Sequence, residues 1–183
     1  DYDGGYIFTG YTDNKNILVK TDSSGNIIWS KTYNFSEHTR ANSLTKTNDN
    51  GYVIVGDFAP YSWSSTSGLA SGGRAAFVVK TDSQGNEIWS NTYSIENSEN
   101  FNTLGAYFVE QTNDGGYIVG GPATFSENNY FKIDSNGNLE WYKVFGNSDL
   151  KHFSSIDLTL DGGFIFLGTT DENLANYDDG NYS

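Results

Sequence analysis

The chain contains no cysteine and no methionine, and only 2 of its 183 residues are proline. Without cysteine there are no disulfides, no thiolate zinc sites and no cysteine nucleophile, and the redox compartment stays open. Without methionine there is no initiator, so the chain is expected to be a processed or excised piece of a longer polypeptide. Basic residues are scarce: 10 Lys and Arg stand against 23 Asp and Glu, a formal net charge of -13. Phosphate binding needs clustered Lys and Arg. The ten here are scattered, which argues against nucleic acid or an anionic membrane surface as partner. No apolar run approaches the ~18 residues of a membrane-spanning helix, and no signal peptide is recognisable.

Aromatic residues are plentiful, 13 Tyr and 12 Phe, set among Asn, Ser, Thr and Gly. That is the vocabulary of strands joined by polar turns rather than of helices, and the length suffices for one domain with a real core. Two elements recur. "DGGYIFTG", "DNGYVIVG", "DGGYIVGG" and "DGGFIFLG" begin at Asp3, Asp49, Asp114 and Asp161. "KTDSSGNIIWS", "KTDSQGNEIWS" and the looser "KIDSNGNLEWY" begin at Lys20, Lys80 and Lys132. The period is about 50 residues, within the range of propellers and repeat arrays. One longer interval has a visible cause: residues 57–75 replace the short segment 11–16.

Each unit reads as four antiparallel strands. In the second these are Ala41–Thr47, Tyr52–Gly56, Ala76–Asp82 and Glu87–Tyr93. "NDNG" joins the first pair as a tight turn, because Asn and Gly tolerate positive φ. In "DSQGN" the aspartate can accept backbone N–H bonds while glycine supplies the left-handed residue. Runs such as "YIFTG" and "FVVKT" are apolar at both parities, as expected of strands covered on both faces. The expected fold is therefore all-β, a β-propeller-type array of four-stranded blades. Trp29, Trp89 and Trp141 are expected to fill the gaps between neighbouring blades. Asp22, Asp82 and Asp134 with Gly25, Gly85 and Gly137 are expected to build the turns. The units lie near 3–40, 41–105, 106–153 and 154–170, with 171–183 an acidic tail or the start of another strand. The first unit lacks its innermost strand. The fourth holds only Ser154–Leu160 and Phe164–Thr169, so the repeats are about three and a half and are expected to belong to a larger propeller.

The segments "DGGYIVGG", "VKTDSSGNIIWSKTY" and "SLTKTNDNGY" resemble the repeats of secreted and cell-surface β-propeller proteins of bacteria and archaea. Some of that family carry C-terminal sorting domains for type IX secretion. The resemblance covers nearly the whole chain and implies a propeller at an extracellular or cell-surface location, while fold alone does not fix function. More distantly the Asp–Gly–Trp element is similar to the docking motif of quinoprotein propellers. The Asp22-to-Trp29 interval is one residue shorter than usual there, and the quinone's ligands are not recognisable.

Several candidate sites compete with architecture. Asp134, Asn136, Asn138 and Glu140 place oxygens at alternating positions, as in calcium loops. In the sister copies the third position is Ser24 or Gln84 and the last is Ile28 or Ile88, so the shared part is hairpin chemistry. The tail offers Asp171, Glu172, Asp178 and Asp179, with a solvated linker as the simpler reading. His38 and His152 fall in crossovers between units, where a periodic residue reflects blade architecture. No strand–turn–helix nucleophile elbow occurs. Asn34 and Asn181 head glycosylation sequons in expected loops. The clearest departure from the repeat is 57–75, where Phe58, Tyr61, Trp63 and Arg74 sit among Ser and Gly. Exposed aromatics of that kind suit a sugar ring or a protein partner. The expected function is non-catalytic: binding or adhesion to a glycan or protein through a loop face. The alternative is a structural subunit of a filament joined by strand addition, and an enzyme segment ranks third.

Overall fold

The computed structural model describes residues 4–12, 15–35, 39–58, 75–94, 104–122, 128–145 and 150–170; for 122, 145, 150–154, 169 and 170 it describes the backbone alone. Every regular element is a strand. β1 (Ile7–Thr12), β2 (Lys15–Thr21) and β3 (Ile27–Tyr33) form the first sheet. β4 (Thr39–Lys46), β5 (Tyr52–Phe58), β6 (Ala75–Thr81) and β7 (Glu87–Tyr93) form the second. β8 (Phe108–Gln111), β9 (Tyr117–Pro122), β10 (Asn128–Ile133) and β11 (Leu139–Phe145) form the third, and β12 (Leu150–Leu158) pairs with β13 (Phe164–Thr170). All pairings are antiparallel between strands consecutive in sequence. The expected all-β strands are thus found among the described residues, three in the first sheet, four in each of the next two and two in the last. Edges shift slightly: β4 starts at Thr39 and β12 at Leu150, because pairing with β5 and β13 continues past local irregularities.

The sheets stack face to face in chain order. Along β5 and β6, Tyr52, Ile54, Phe77 and Val79 pack toward the first sheet with Leu18 and Tyr33. The alternate residues Val53, Val55, Ala76 and Val78 pack toward the third with Val109, Tyr117, Val119, Phe131 and Ile133. That double coverage is why these strands are apolar at both parities: a pleated strand points successive side chains to opposite faces, and here neither face meets water. Each fully buried large side chain contributes about 1.5–3 kcal/mol. Tyr130 against Phe166 (4.9 Å between ring centroids) and Trp141 against Phe164 (6.3 Å) carry the stack into the fourth sheet.

The outermost faces are different. Tyr6 and Phe8 occupy the positions of Tyr52 and Ile54 but are 54 % and 53 % exposed, against 1 % for each counterpart. On the far side Ile165 and Leu167 of β13 are 60 % and 66 % exposed.

Candidate functional site

The repeated turns come first, because they decide what the "KTDSxGNxxW" element is. In each copy one aspartate oxygen accepts two backbone N–H bonds. Asp22 Oδ1 takes Ser24 N (2.9 Å) and Asn26 N (2.8 Å). Asp82 Oδ1 takes Gln84 N and Asn86 N, and Asp134 Oδ1 takes Asn136 N and Asn138 N, all at 2.8 Å. The second oxygen accepts the side-chain amide of Asn26, Asn86 or Asn138. Those asparagine amides, the largest cause, hold all three exposed carboxyls below the usual aspartate range. Both oxygens of Asp134 therefore serve its own turn, and Glu140 pairs with Lys132 at 2.6 Å. Among the described residues no group of three or more His, Cys, Asp or Glu converges on a metal position. The tail carboxylates 171–179 lie outside the described residues.

After each turn the ladder shifts register, so that Lys20, Lys80 and Lys132 face Trp29, Trp89 and Trp141 while the preceding residue bulges out. A bulge re-aims the neighbouring side chain. It explains why Ile28 and Ile88 are exposed and why the same position can be Glu140. The re-aimed indole lies over the next unit. Trp29 meets Tyr52 edge-on at 6.3 Å and Trp89 meets Tyr117 at 6.2 Å, both inclined 61°. The turn glycine of the next unit sits beneath: a Cβ on Gly85 would lie 2.8 Å from the Trp29 ring, and one on Gly137 2.9 Å from the Trp89 ring. The Tyr33 and Tyr93 hydroxyls donate to Gly85 O and Gly137 O, each at 2.7 Å. This is a sheet-to-sheet clasp, used twice with the same parts.

A second repeated device was not foreseen from the sequence. Lys80 is buried, and its ammonium donates to both Asp49 oxygens (2.9 and 2.8 Å), to Thr47 Oγ1 (3.2 Å) and to Thr81 O (2.9 Å). Lys132 repeats it with Asp114 at 2.7 Å. Burial opposes ionisation of Asp49, but Lys80, Thr47 and the Gly51 amide outweigh it and hold the carboxyl at about 2. Lys132 is the largest influence holding Asp114 at about 2, with Thr112 next. The signal in the sequence is a recurring pair: the lysine two residues before each turn aspartate (Lys80, Lys132) and the aspartate two residues before the glycine that leads into β5 or β9 (Asp49, Asp114).

The segments that do not repeat sit elsewhere. The tight turns 22–26, 48–51, 82–86, 113–116, 134–138 and 160–163 all cap one end of the sheets. At the opposite end lie the strand termini flanking 13–14, 36–38, 59–74, 95–103, 123–127 and 146–149. Of the candidates, Phe58 is placed there, at the end of β5 and packed against the core shared by the first two sheets. Tyr61, Trp63 and Arg74 lie outside the described residues, as do His38 and Asn181. His152 falls in β12 rather than in a crossover, and Asn34 is exposed just after β3. The same end gathers residues that the sequence pattern did not single out. Arg40 lies over the exposed Tyr11 ring, 5.6 Å from its centroid. Its β4 neighbour Asn42 donates to Asp57 Oδ1 (2.7 Å) and to Ala106 O (3.0 Å), tying the second sheet to the third. Tyr11 could have been found as a departure from the repeat, since Asp57 and Pro122 hold its position in the next units. Phe35 stacks on Phe77 at 4.4 Å beneath this surface. No known protein-family model and no curated protein matches the chain.

Proposed function

We propose that the sheets are blades of a β-propeller and that the chain is a non-catalytic extracellular or cell-surface repeat protein. Its loop-bearing end binds a glycan or a protein partner. The observation that carries this reading is the segregation of segments: short turns of repeated sequence cap one end, and every non-repeating segment springs from the other. Strands fix that second end rigidly, and a rigid scaffold displaying variable segments is the usual arrangement of a binding surface. Tyr11, Arg40 and Phe58 border it, and Tyr61, Trp63 and Arg74 follow β5 in the sequence. Aromatic and guanidinium groups of this kind supply large contact area at low cost in side-chain entropy.

The test immobilises the chain and reads binding to a glycan array and to purified surface proteins. Trp63→Ala is expected to weaken the bound ligand about tenfold or more, equal to about 1.4 kcal/mol. Full binding after Trp63→Ala, Tyr61→Ala and Arg74→Ala in one chain would remove this surface as the binding site.

A structural role by strand addition has its own support. β1 and β13 each pair on one edge only among the described strands, and an unpaired edge is a template for another strand. Filaments of the purified chain, abolished by a proline in β13, would favour that role over ligand binding.

A further inference from the structure

The two ends of the sheets treat buried polar groups differently. At the tight-turn end Thr21, Thr47, Lys80, Thr81, Thr112 and Lys132 are buried, and each has a hydrogen-bond partner. At the loop-bearing end Asn16 and Asn129 are 1 % and 0 % exposed, and among the described residues neither the oxygen nor the nitrogen of either amide has a partner. A buried polar atom left unpaired is destabilising, so its presence calls for a reason. The strands themselves do not supply one. The repeat puts Ala76 at the position of Asn16 in the second unit, and Ile17 and Phe77 at the position of Asn129.

Both amides point at the same sheet. Asn16 is the second residue of β2 and shares a face with Leu18, which packs against the second sheet. Asn129 is the second residue of β10 and shares a face with Phe131, which packs against the second sheet from the other side. Side chains two apart on a strand point the same way, which fixes both directions. Each amide therefore lies one residue in from a strand end, between the second sheet and a neighbour. The second sheet is also the one in which 59–74, with Tyr61, Trp63 and Arg74, separates β5 from β6. Tyr11, the cross-strand partner of Asn16, adds an aromatic ring with Arg40 over it.

We propose that the loop-bearing end binds a neutral carbohydrate, whose hydroxyl groups pair with the Asn16 and Asn129 amides on the two sides of the second sheet. This depends on the binding reading of that end and names its ligand. An amide side chain offers an acceptor oxygen and an NH2 donor, and a hydroxyl both donates and accepts. Neighbouring hydroxyls of a sugar thus satisfy both amide atoms. A carboxylate or phosphate only accepts and leaves the amide oxygen unpaired, and the charge of -13 repels it. A peptide group matches the amide but lies within its chain, which would have to pass between stacked sheets. A hydroxyl projects from its ring and reaches an atom one residue deep, about 3.3 Å. Rim side chains part to admit it, and the Arg40 contact on Tyr11 is of the weak kind made at exposed sites.

Calorimetric titration of the full chain tests it, with neutral oligomers of glucose, galactose, mannose and N-acetylglucosamine and a uronate oligomer as the anionic control. The variants are Asn16→Ala and Asn129→Ile, which use the repeat's own residues at each position. Asn16→Val and Asn129→Leu stand behind them, and circular dichroism checks folding. A neutral oligomer is expected to bind, and each variant to weaken it about tenfold or more. Melting temperature is expected to hold or rise in the variants, because neither amide gives up a bond to a described residue. A lowered melting temperature with binding unchanged overturns the proposal and makes the amides seats for internal water. Preference for the uronate overturns it, as does binding of a purified surface protein with no oligomer bound. Sugar binding that survives both asparagine variants but is lost on replacing Tyr61, Trp63 and Arg74 overturns the site and leaves the binding reading standing. Absence of binding to every sugar and protein overturns both.

Discussion

Gly25, Gly85 and Gly137 occupy the same place in three copies of one turn, and all three have positive φ (85°, 73° and 81°). The left-handed conformation alone costs a residue with a side chain about 1–2 kcal/mol. Surroundings separate them, because Gly85 and Gly137 lie under an indole and Gly25 does not. Gly85→Ala is therefore expected to destabilise by about 1–3 kcal/mol more than Gly25→Ala, the typical cost of overpacking. Chemical denaturation of the two variants measures the difference, and equal losses would mean that Trp29 moves aside freely. The same clasp gives a milder change. Tyr93→Phe removes the 2.7 Å bond to Gly137 O, which keeps the Asn91 amide at 2.9 Å, so a loss of about 1 kcal/mol is expected.

Within a sheet, the buried lysine is the vulnerable part. Asp49→Asn leaves the Lys80 ammonium with Thr47 and Thr81 as neutral partners. A fully buried pair broken in this way loses about 3–5 kcal/mol. Asp49 is 58 % exposed, so solvent screening reduces the expected loss to roughly half that. Adding Lys80→Met to Asp49→Asn is expected to recover much of it, and a denaturation cycle over the four chains reads the coupling. The pH dependence follows with a definite sign. Asp49 and Asp114 are held at about 2 against an ordinary 3.8, so their ionised forms stabilise the folded chain. That stability is complete above about pH 4 and is lost as pH falls toward 2. Melting temperature is expected to drop across that window, and Asp49→Asn with Asp114→Asn to flatten the drop. Glu110 acts in the opposite sense, since burial raises its carboxyl above the usual range.

Across the whole molecule, stability is expected to be graded from the middle of the stack outward. β5, β6, β9 and β10 belong to sheets with neighbours on both faces, whereas β1 and β13 lie in sheets with one bare face. Hydrogen exchange is expected to be slowest in the first group and fastest in the second, because local opening exposes less apolar surface where less is covered. Uniform protection across all the sheets would mean that the outer faces are covered in solution.

The all-β strand inventory and the hairpin turns between strands were legible in the residues alone, because these features are local and repeated. An aspartate, a glycine and an asparagine at fixed spacing have few ways to satisfy one another, and four copies of an apolar run show which segments are strands. The bulge was not legible, since it appears only when paired strands are counted against each other. Nor was the burial of Lys80 and Lys132, whose aspartate partners lie at the turn leading into a neighbouring strand. It took the packed fold to show that Trp29 and Trp89 close over the glycine turn of the following unit, and that Arg40 meets Tyr11. The same packing leaves Tyr6 and Phe8 bare where Tyr52 and Ile54 are sealed. Burial belongs to what lies opposite a face, and equivalent residues in a repeat carry no mark of whether a neighbour is there.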